Sequence, residues 1–303
     1  MPDTDPLQRT GISTSILSVF LCLIVGCAPP SQAPLASRSA ADEKFLKICR
    51  EEHGIEIHIT PLEQTLWIFV PVDIPIFEFR TKENSPLGSQ GVKRESALAY
   101  LDGYFQDNIF HIDYDVFPMT KSGKDPGYGP NYTDEFNKIK NNVFSAITQT
   151  YFDLENTSQI PSFMVLVIAD IKRGVEIKLT FYTEDFKKYL SQSLPPEEYL
   201  QRQLVDSWGN PSIVDDAQGK HLAYRNVEWP EFLTKQILNR INFKFKESSF
   251  PPGENTNSEI LKIVYLATHN YDFTAFEEVE LTDVRSQKKY LYTKADLKNY
   301  SVQ

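Results

Sequence analysis

His111, Asp113 and Asp115 alternate along one segment with Phe110, Ile112 and Tyr114. On a strand the three polar side chains share a face, and one imidazole nitrogen with two carboxylates is a set that a divalent ion accepts. A half-buried strand with a solvated outer face gives the same alternation, and that plainer reading takes precedence. Asp215 and Asp216 stand near His221 in a loop-forming stretch, where solvation accounts for them. His53 and His58 flank a strand start without the HExxH helix pattern of zinc proteases. Lys121 to Asn131, KSGKDPGYGPN, contains the Gly123-Lys124 pair of a phosphate loop. Pro118 stands where the first glycine is required, and Asp125 stands where Ser or Thr would hold magnesium. No GxSxG motif occurs, and Cys49 falls on the inner face of a predicted helix, so nucleophilic catalysis has no candidate. No catalytic residue, metal ligand or cofactor is therefore expected.

The N-terminus carries a different kind of chemistry. Ile16 to Val25 is apolar apart from Ser18, too short for a membrane-spanning helix, which needs about 20 residues, and suited to the apolar region of a signal peptide. It closes on Leu23-Ile24-Val25-Gly26-Cys27, which resembles the lipobox of bacterial lipoprotein precursors. The leader departs from the usual positive start, with Asp3 and Asp5 against Arg9. The resemblance covers about the first 30 residues. It implies cleavage after Gly26, a thioether-linked diacylglycerol on Cys27 and often an acyl group on the new amine. Two or more chains anchor stably where one does not. Ala28 in place of Asp resembles the outer-membrane sorting pattern.

With 1–26 removed as the signal peptide, Cys22 is lost, Cys27 is lipidated and Cys49 is left without a disulfide partner. The charge balance becomes 30 basic against 39 acidic residues, or −9, after the loss of Arg9, Asp3 and Asp5. This argues against a nucleic-acid partner and against electrostatic docking to anionic lipid. Residues 27–41, rich in Pro, Ala and Ser, form a flexible tether.

The elements that must position any site follow from periodicity. Phe45, Ile48 and Cys49 share a helical face, with Gly54 as the C-cap. Ile55, Ile57 and Ile59 alternate as a strand, Pro61 to Gln64 turns, and Leu66 to Val72 is apolar on both faces, as in a central strand. Ile76 to Arg80 is another strand and Thr81 to Gly91 a polar loop. Ala97 to Phe117 reads as a hairpin turning at Gln106-Asp107-Asn108, with Asp102-Gly103 as the rival turn. Thr133 to Leu154 is the clearest helix, with Phe136, Ile139, Val143, Phe144, Ile147, Tyr151 and Leu154 on one stripe. Val143, Phe144 and Ile147 should be buried against the strand at Phe163 to Ile171. That strand turns at Lys172 to Gly174 into a second at Val175 to Tyr182. Helices are expected at Asp185–Leu190 and Pro196–Ser207, a loop at Trp208–Gly219, a helix from Trp229 to Arg240, and a strand with Ile241, Phe243 and Phe245. A helix capped by Ser258 runs to His269. Strands near Phe276–Thr282 and Lys289–Thr293 and a short helix to Tyr300 end the chain.

An offset of 113 residues relates Phe163, Leu166, Ile168, Asp170, Ile171 and Lys172 to Phe276, Val279, Leu281, Asp283, Val284 and Arg285. Each copy reads strand–helix–strand–strand–helix when the strand before it is included. Chance likeness of two such segments is the alternative reading. As a repeat, the unit resembles small α+β modules of envelope scaffolds, such as ring-building motifs and polypeptide-transport-associated domains, in architecture alone.

The expected fold is α+β, antiparallel sheets with helices packed on them, divided into an N-terminal region 42–120, a module 131–207 and a C-terminal module 221–303. The expected function is a lipid-anchored bacterial envelope lipoprotein, at the outer rather than the inner membrane if Gram-negative, that binds or scaffolds a protein partner without chemistry. The rival is an envelope hydrolase acting on peptidoglycan or polysaccharide through a carboxylate pair. The sequons at Asn131, Asn156 and Asn299 carry no weight in a bacterial protein.

Overall fold

In the computed structural model, residues 40–81, 98–116, 128–152, 160–246 and 255–300 are described. Cys27, the signal segment, Thr81 to Gly91 beyond its first residue, and most of the Lys121–Asn131 stretch lie outside them. The chain first forms α1 (Ala40–Glu51), β1 (His58–Pro61), β2 (Thr65–Val72), β3 (Phe77–Thr81), β4 (Leu98–Gln106), β5 (Ile109–Val116) and β6 (Tyr128–Tyr132). Next come α2 (Asp134–Ile147), β7 (Phe163–Asp170), β8 (Val175–Tyr182), α3 (Thr183–Leu190), α4 (Pro196–Arg202) and β9 (Leu204–Gly209). The last are α5 (Trp229–Lys246), α6 (Thr256–His269), β10 (Glu278–Asp283), β11 (Lys288–Thr293) and α7 (Lys294–Leu297).

The fold is α+β. One sheet has five strands in the order β1-β2-β7-β8-β9, a second has four in the order β11-β10-β5-β4, and β3 pairs with β6. Pairing is antiparallel except for β2 with β7 and β5 with β10. Segment 42–120 therefore does not close on itself: β1 and β2 join the strands of 131–207, while β4 and β5 join those of 221–303. Parallel neighbours cannot be joined by a tight turn, so each central pair is completed by chain far along the sequence. The repeat gains a physical form here. Both sheets contain a hairpin, a parallel step and a second hairpin, the last strand of which runs into a helix. The strand that completes each unit is not the one just before its helix, because the two units interleave.

The first sheet is buried on both faces. Leu66, Ile68, Met164, Leu166, Ile168 and Ile177 meet α1 and α2, and Trp67, Phe69, Val165, Val167 and Ala169 meet the loop after β9. This explains why β2 and β7 read as apolar throughout. The second sheet packs Phe110, Ile112, Val279 and Leu281 onto α5 and α6 and leaves its other face to solvent. Helix α1 begins at Ala40, just inside the expected tether, and buries Ala41, Phe45, Ile48 and Cys49. Thr133 caps α2 by accepting from Phe136 N–H.

Four local expectations are corrected. Ile241 to Phe245 continue α5 rather than forming a strand: Leu233, Ile237, Ile241 and Phe245 recur every fourth residue and are buried, while Phe243 is exposed. Helix α4 stops at Arg202, because Leu204 to Ser207 pair with β8 as an edge strand that extends through Trp208. Asn255, not Ser258, caps α6. Tyr128 to Asn131, read as loop, pair with β3.

Buried polar groups join the two sheet systems. Asp185 of α3 accepts from Arg202 at 2.8 Å and from the Tyr271 hydroxyl at 2.5 Å, and Arg240 of α5 donates to Glu198 of α4 at 2.6 Å. Such a network is favourable only when its members are satisfied together, which fixes how α5 lies against α4.

Candidate functional site

A large concavity lies over the helix-covered face of the first sheet. Helix α2 forms one wall and α3 with α4 the other, above Ile177 and Leu179 of β8 and Val205 of β9. Helices α2 and α3 meet through Phe144 and Phe186, whose rings are 5.1 Å apart, and beside that contact a groove of about 590 Å³ opens to solvent. This volume is in the range of small-molecule sites. In the second unit, by contrast, α6 packs directly against α7 and the turn that follows it.

Six aromatic side chains line the groove: Tyr132, Phe136, Phe144, Phe186, Tyr189 and Tyr199. Tyr189 and Tyr199 stack at 4.5 Å, and Tyr132 and Phe136 at 4.9 Å. Leu190, Leu200 and Val205 expose apolar surface at the rim, Leu200 to 66%. Among the described residues, Lys140 is the one charged residue in the lining. Its ammonium stands 5.8 Å from the centroids of both Tyr132 and Phe136 and donates to Asn137 Oδ1 at 3.3 Å. Burial lowers the Lys140 pKa below its ordinary value. Tyr199 buries a hydroxyl that makes no good hydrogen bond among the described residues. Among the described residues the lining contains no carboxylate. The arrangement can hold an apolar body and offers one cation; it offers no acid–base pair.

The opposite face of the same sheet holds the residues that the sequence placed in a solvated loop. His221 bridges two carboxylates: Nδ1 lies 2.6 Å from Asp216 Oδ2, and Nε2 lies 2.7 Å from Glu176 Oε2. Glu176 is fully buried on β8, facing the loop. Its second oxygen, Oε1, has no hydrogen-bond partner among the described residues. The loop is pressed down at Gly219, whose φ is +70°; a Cβ there would stand 2.6 Å from the Tyr224 hydroxyl and 3.0 Å from the Phe69 ring. Burial opposes charge on His221, but the hydrogen bonds to Asp216 and Glu176 outweigh it and raise its pKa. Burial likewise opposes charge on Asp216, and His221 with backbone N–H groups holds its carboxyl far below the usual range. With both ring nitrogens engaged, His221 has no free lone pair to act as a base. It clamps loop to sheet. The sequence showed Asp216 and His221 together but gave no sign of Glu176, 45 residues away.

His111, Asp113 and Asp115 do share the outer face of β5, each tied into cross-strand rows. His111 stacks on Tyr104 at 4.5 Å and approaches Glu280 at 3.3 Å, and Glu280 also pairs with Lys289 at 2.9 Å. Asp115 pairs with Arg285 at 3.1 Å, and Asp113 sits opposite Asp102 and Thr282. Among the described residues no group of three His, Cys, Asp or Glu side chains is gathered in a way that could hold a metal ion. His58 lies on β1 with its ring 6.3 Å from Phe69, and His53 follows α1. Cys49 is fully buried, and burial pushes its thiol up to about 12, outside the range of a reactive thiolate. Among the described residues no helix is long and apolar enough to cross a membrane.

Compared with protein families, curated proteins and solved structures, the chain matches none.

Proposed function

We propose that this chain is a lipoprotein of the bacterial cell envelope, anchored through lipid on Cys27, whose α+β body binds a partner or ligand without chemistry. The anchor rests on the Leu23-to-Cys27 sequence after its short apolar run. The binding role rests on one observation: an open, aromatic-lined groove with exposed apolar rim residues and, among the described residues, no carboxylate in its lining. An apolar concavity of this size with few polar groups is the common form of a binding site. A glycan hydrolase would need two carboxylates flanking the groove, one of them with a raised pKa. Asp185, the buried carboxylate on the α3 wall, is taken up by Arg202 and the Tyr271 hydroxyl, and Glu176 and Asp216 lie on the other face of the sheet, bridged by His221.

Photo-crosslinking in the native envelope tests the reading. A crosslinker at Leu200 or Val205, on the groove rim, is expected to trap a defined adduct, and one at Val214, on the opposite face, is not. Equal labelling from all three positions would contradict a groove-centred role. Release of glycan fragments by the purified chain would establish the hydrolase instead.

A further inference from the structure

The groove does not present a uniform surface. Aromatic and aliphatic side chains dominate its walls, with Asn141, Ser145, Thr148 and Gln149 interspersed along α2, and among the described residues its single charge is Lys140, midway along α2 between Phe136 and Phe144. Lys140 is half-buried and has no carboxylate partner among the described residues; its contacts are Asn137 and the rings of Tyr132 and Phe136. The whole chain carries a net charge of −10, so acidic partners for a lysine are plentiful on its surface, and this one is held away from them. A cation kept partly dry in the wall of an apolar trough is incompletely solvated, and an anion delivered there by an apolar body would pair with it at little further desolvation cost. On the α3–α4 wall, the stacked pair Tyr189 and Tyr199 and the exposed Leu200 supply apolar surface for the rest of such a body. Resting on the binding role proposed above, we infer that the groove takes an amphiphile with a single acyl chain and an anionic head. The chain lies along the aromatic trough, and the carboxylate or phosphate head pairs with the Lys140 ammonium. Both head chemistries satisfy the site, and a free fatty acid and a lysophospholipid are the two sources.

The test uses the full chain carrying Cys27→Ser, purified without detergent, and displacement of a fluorescent fatty acid by laurate, lauroyl lysophosphatidate and dodecanol. The two anionic ligands are expected to displace the probe, and dodecanol to do so at least about tenfold more weakly. Lys140→Met keeps the apolar stem, removes the charge and should erase that preference, leaving dodecanol within about twofold of its former value. Leu200→Glu, at an exposed rim position that folding tolerates, should weaken both anionic ligands, with the unfolding midpoint as the check on the fold. Whichever of laurate and lysophosphatidate binds more tightly identifies the source of the head group. Equal binding of dodecanol and laurate, or an unchanged laurate affinity in Lys140→Met, would overturn the inference. So would failure of all three ligands to displace the probe. In that last case, a peptide adduct from Leu200 in the envelope would make the groove a protein-docking site, overturning the lipid assignment while the binding role stands. Absence of that adduct as well would overturn both.

Discussion

Asp170 and Asp283 hold the same post in two turns built alike. Asp170 Oδ1 accepts N–H from Lys172 and Arg173 at 3.2 and 3.1 Å, and Asp283 Oδ1 accepts from Arg285 and Ser286 at 3.0 and 3.2 Å. The next residue donates to the parallel neighbour in both: Ile171 to Val72 at 3.0 Å and Val284 to Tyr114 at 2.9 Å. Each turn ends on a left-handed residue, Gly174 at φ +66° and Gln287 at φ +55°. The sequence echo is thus carried down to individual hydrogen bonds, each turn joining a β-hairpin to a parallel neighbour.

The two left-handed positions differ in what they tolerate. A Cβ at Gly174 would lie 2.9 Å from the Asn210 carbonyl oxygen, so Gly174→Ala adds a backbone clash to an unfavourable φ. It should destabilise by about 2 kcal/mol or more, whereas Gln287→Gly should be neutral or stabilise by up to about 1 kcal/mol. Urea unfolding of the two variants checks this, and a larger loss from Gln287→Gly would show that the turns are not equivalent.

Phe144 lies on the predicted stripe of α2, yet it is only partly buried and borders the groove, while Val143 and Ile147 are fully buried. Phe181, which it touches at 5.5 Å, is fully buried. Phe181→Ala should therefore cost about 3–5 kcal/mol and Phe144→Ala about 2 kcal/mol. Denaturant unfolding that ranks them in the reverse order would place Phe144 in the core and remove it from the groove wall.

The His221 clamp should make stability depend on pH with a definite sign. Its pKa is raised in the folded protein, so its contribution is complete below the ordinary imidazole value of about 6.5 and is lost as pH rises through the higher folded value. Asp216, with a lowered pKa, contributes above the ordinary carboxylate value of about 4 and loses that contribution as pH falls. The unfolding free energy is expected to decline from about pH 6.5 toward 9, with the decline largely absent in His221→Gln. Stability that rises over that range and flattens in the variant would mean that the ring is buried neutral.

What the sequence revealed, and what it hid, follows from the range of the interactions. The β4–β5 turn was legible because Asp107 and Asn108 both take positive φ, which these residue types accept more readily than most. The last part of α5 was misread because Ile241, Phe243 and Phe245 alternate, while the fourfold spacing from Leu233 to Phe245 that actually buries the helix spans a longer window. The parallel pairings were not legible, since Val72 meets Asp170 and Tyr114 meets Asp283 across long stretches of intervening chain. The groove was hidden for the same reason: Lys140, Ile177, Phe186, Leu200 and Val205 come from five separate elements and become a surface only when α2 and α3 are splayed over β8. Cys27 is legible in sequence alone and lies outside the described residues.

The most direct measurement is mass spectrometry of the N-terminal peptide of the native protein from its own cell envelope. The expected result is a mature chain beginning at Cys27 and carrying a diacylglycerol thioether, with Cys27→Ser either releasing the domain from the membrane fraction or accumulating as an uncleaved precursor. A native chain with an unmodified Cys27 thiol would contradict lipid anchoring, and with it the envelope role proposed for the groove.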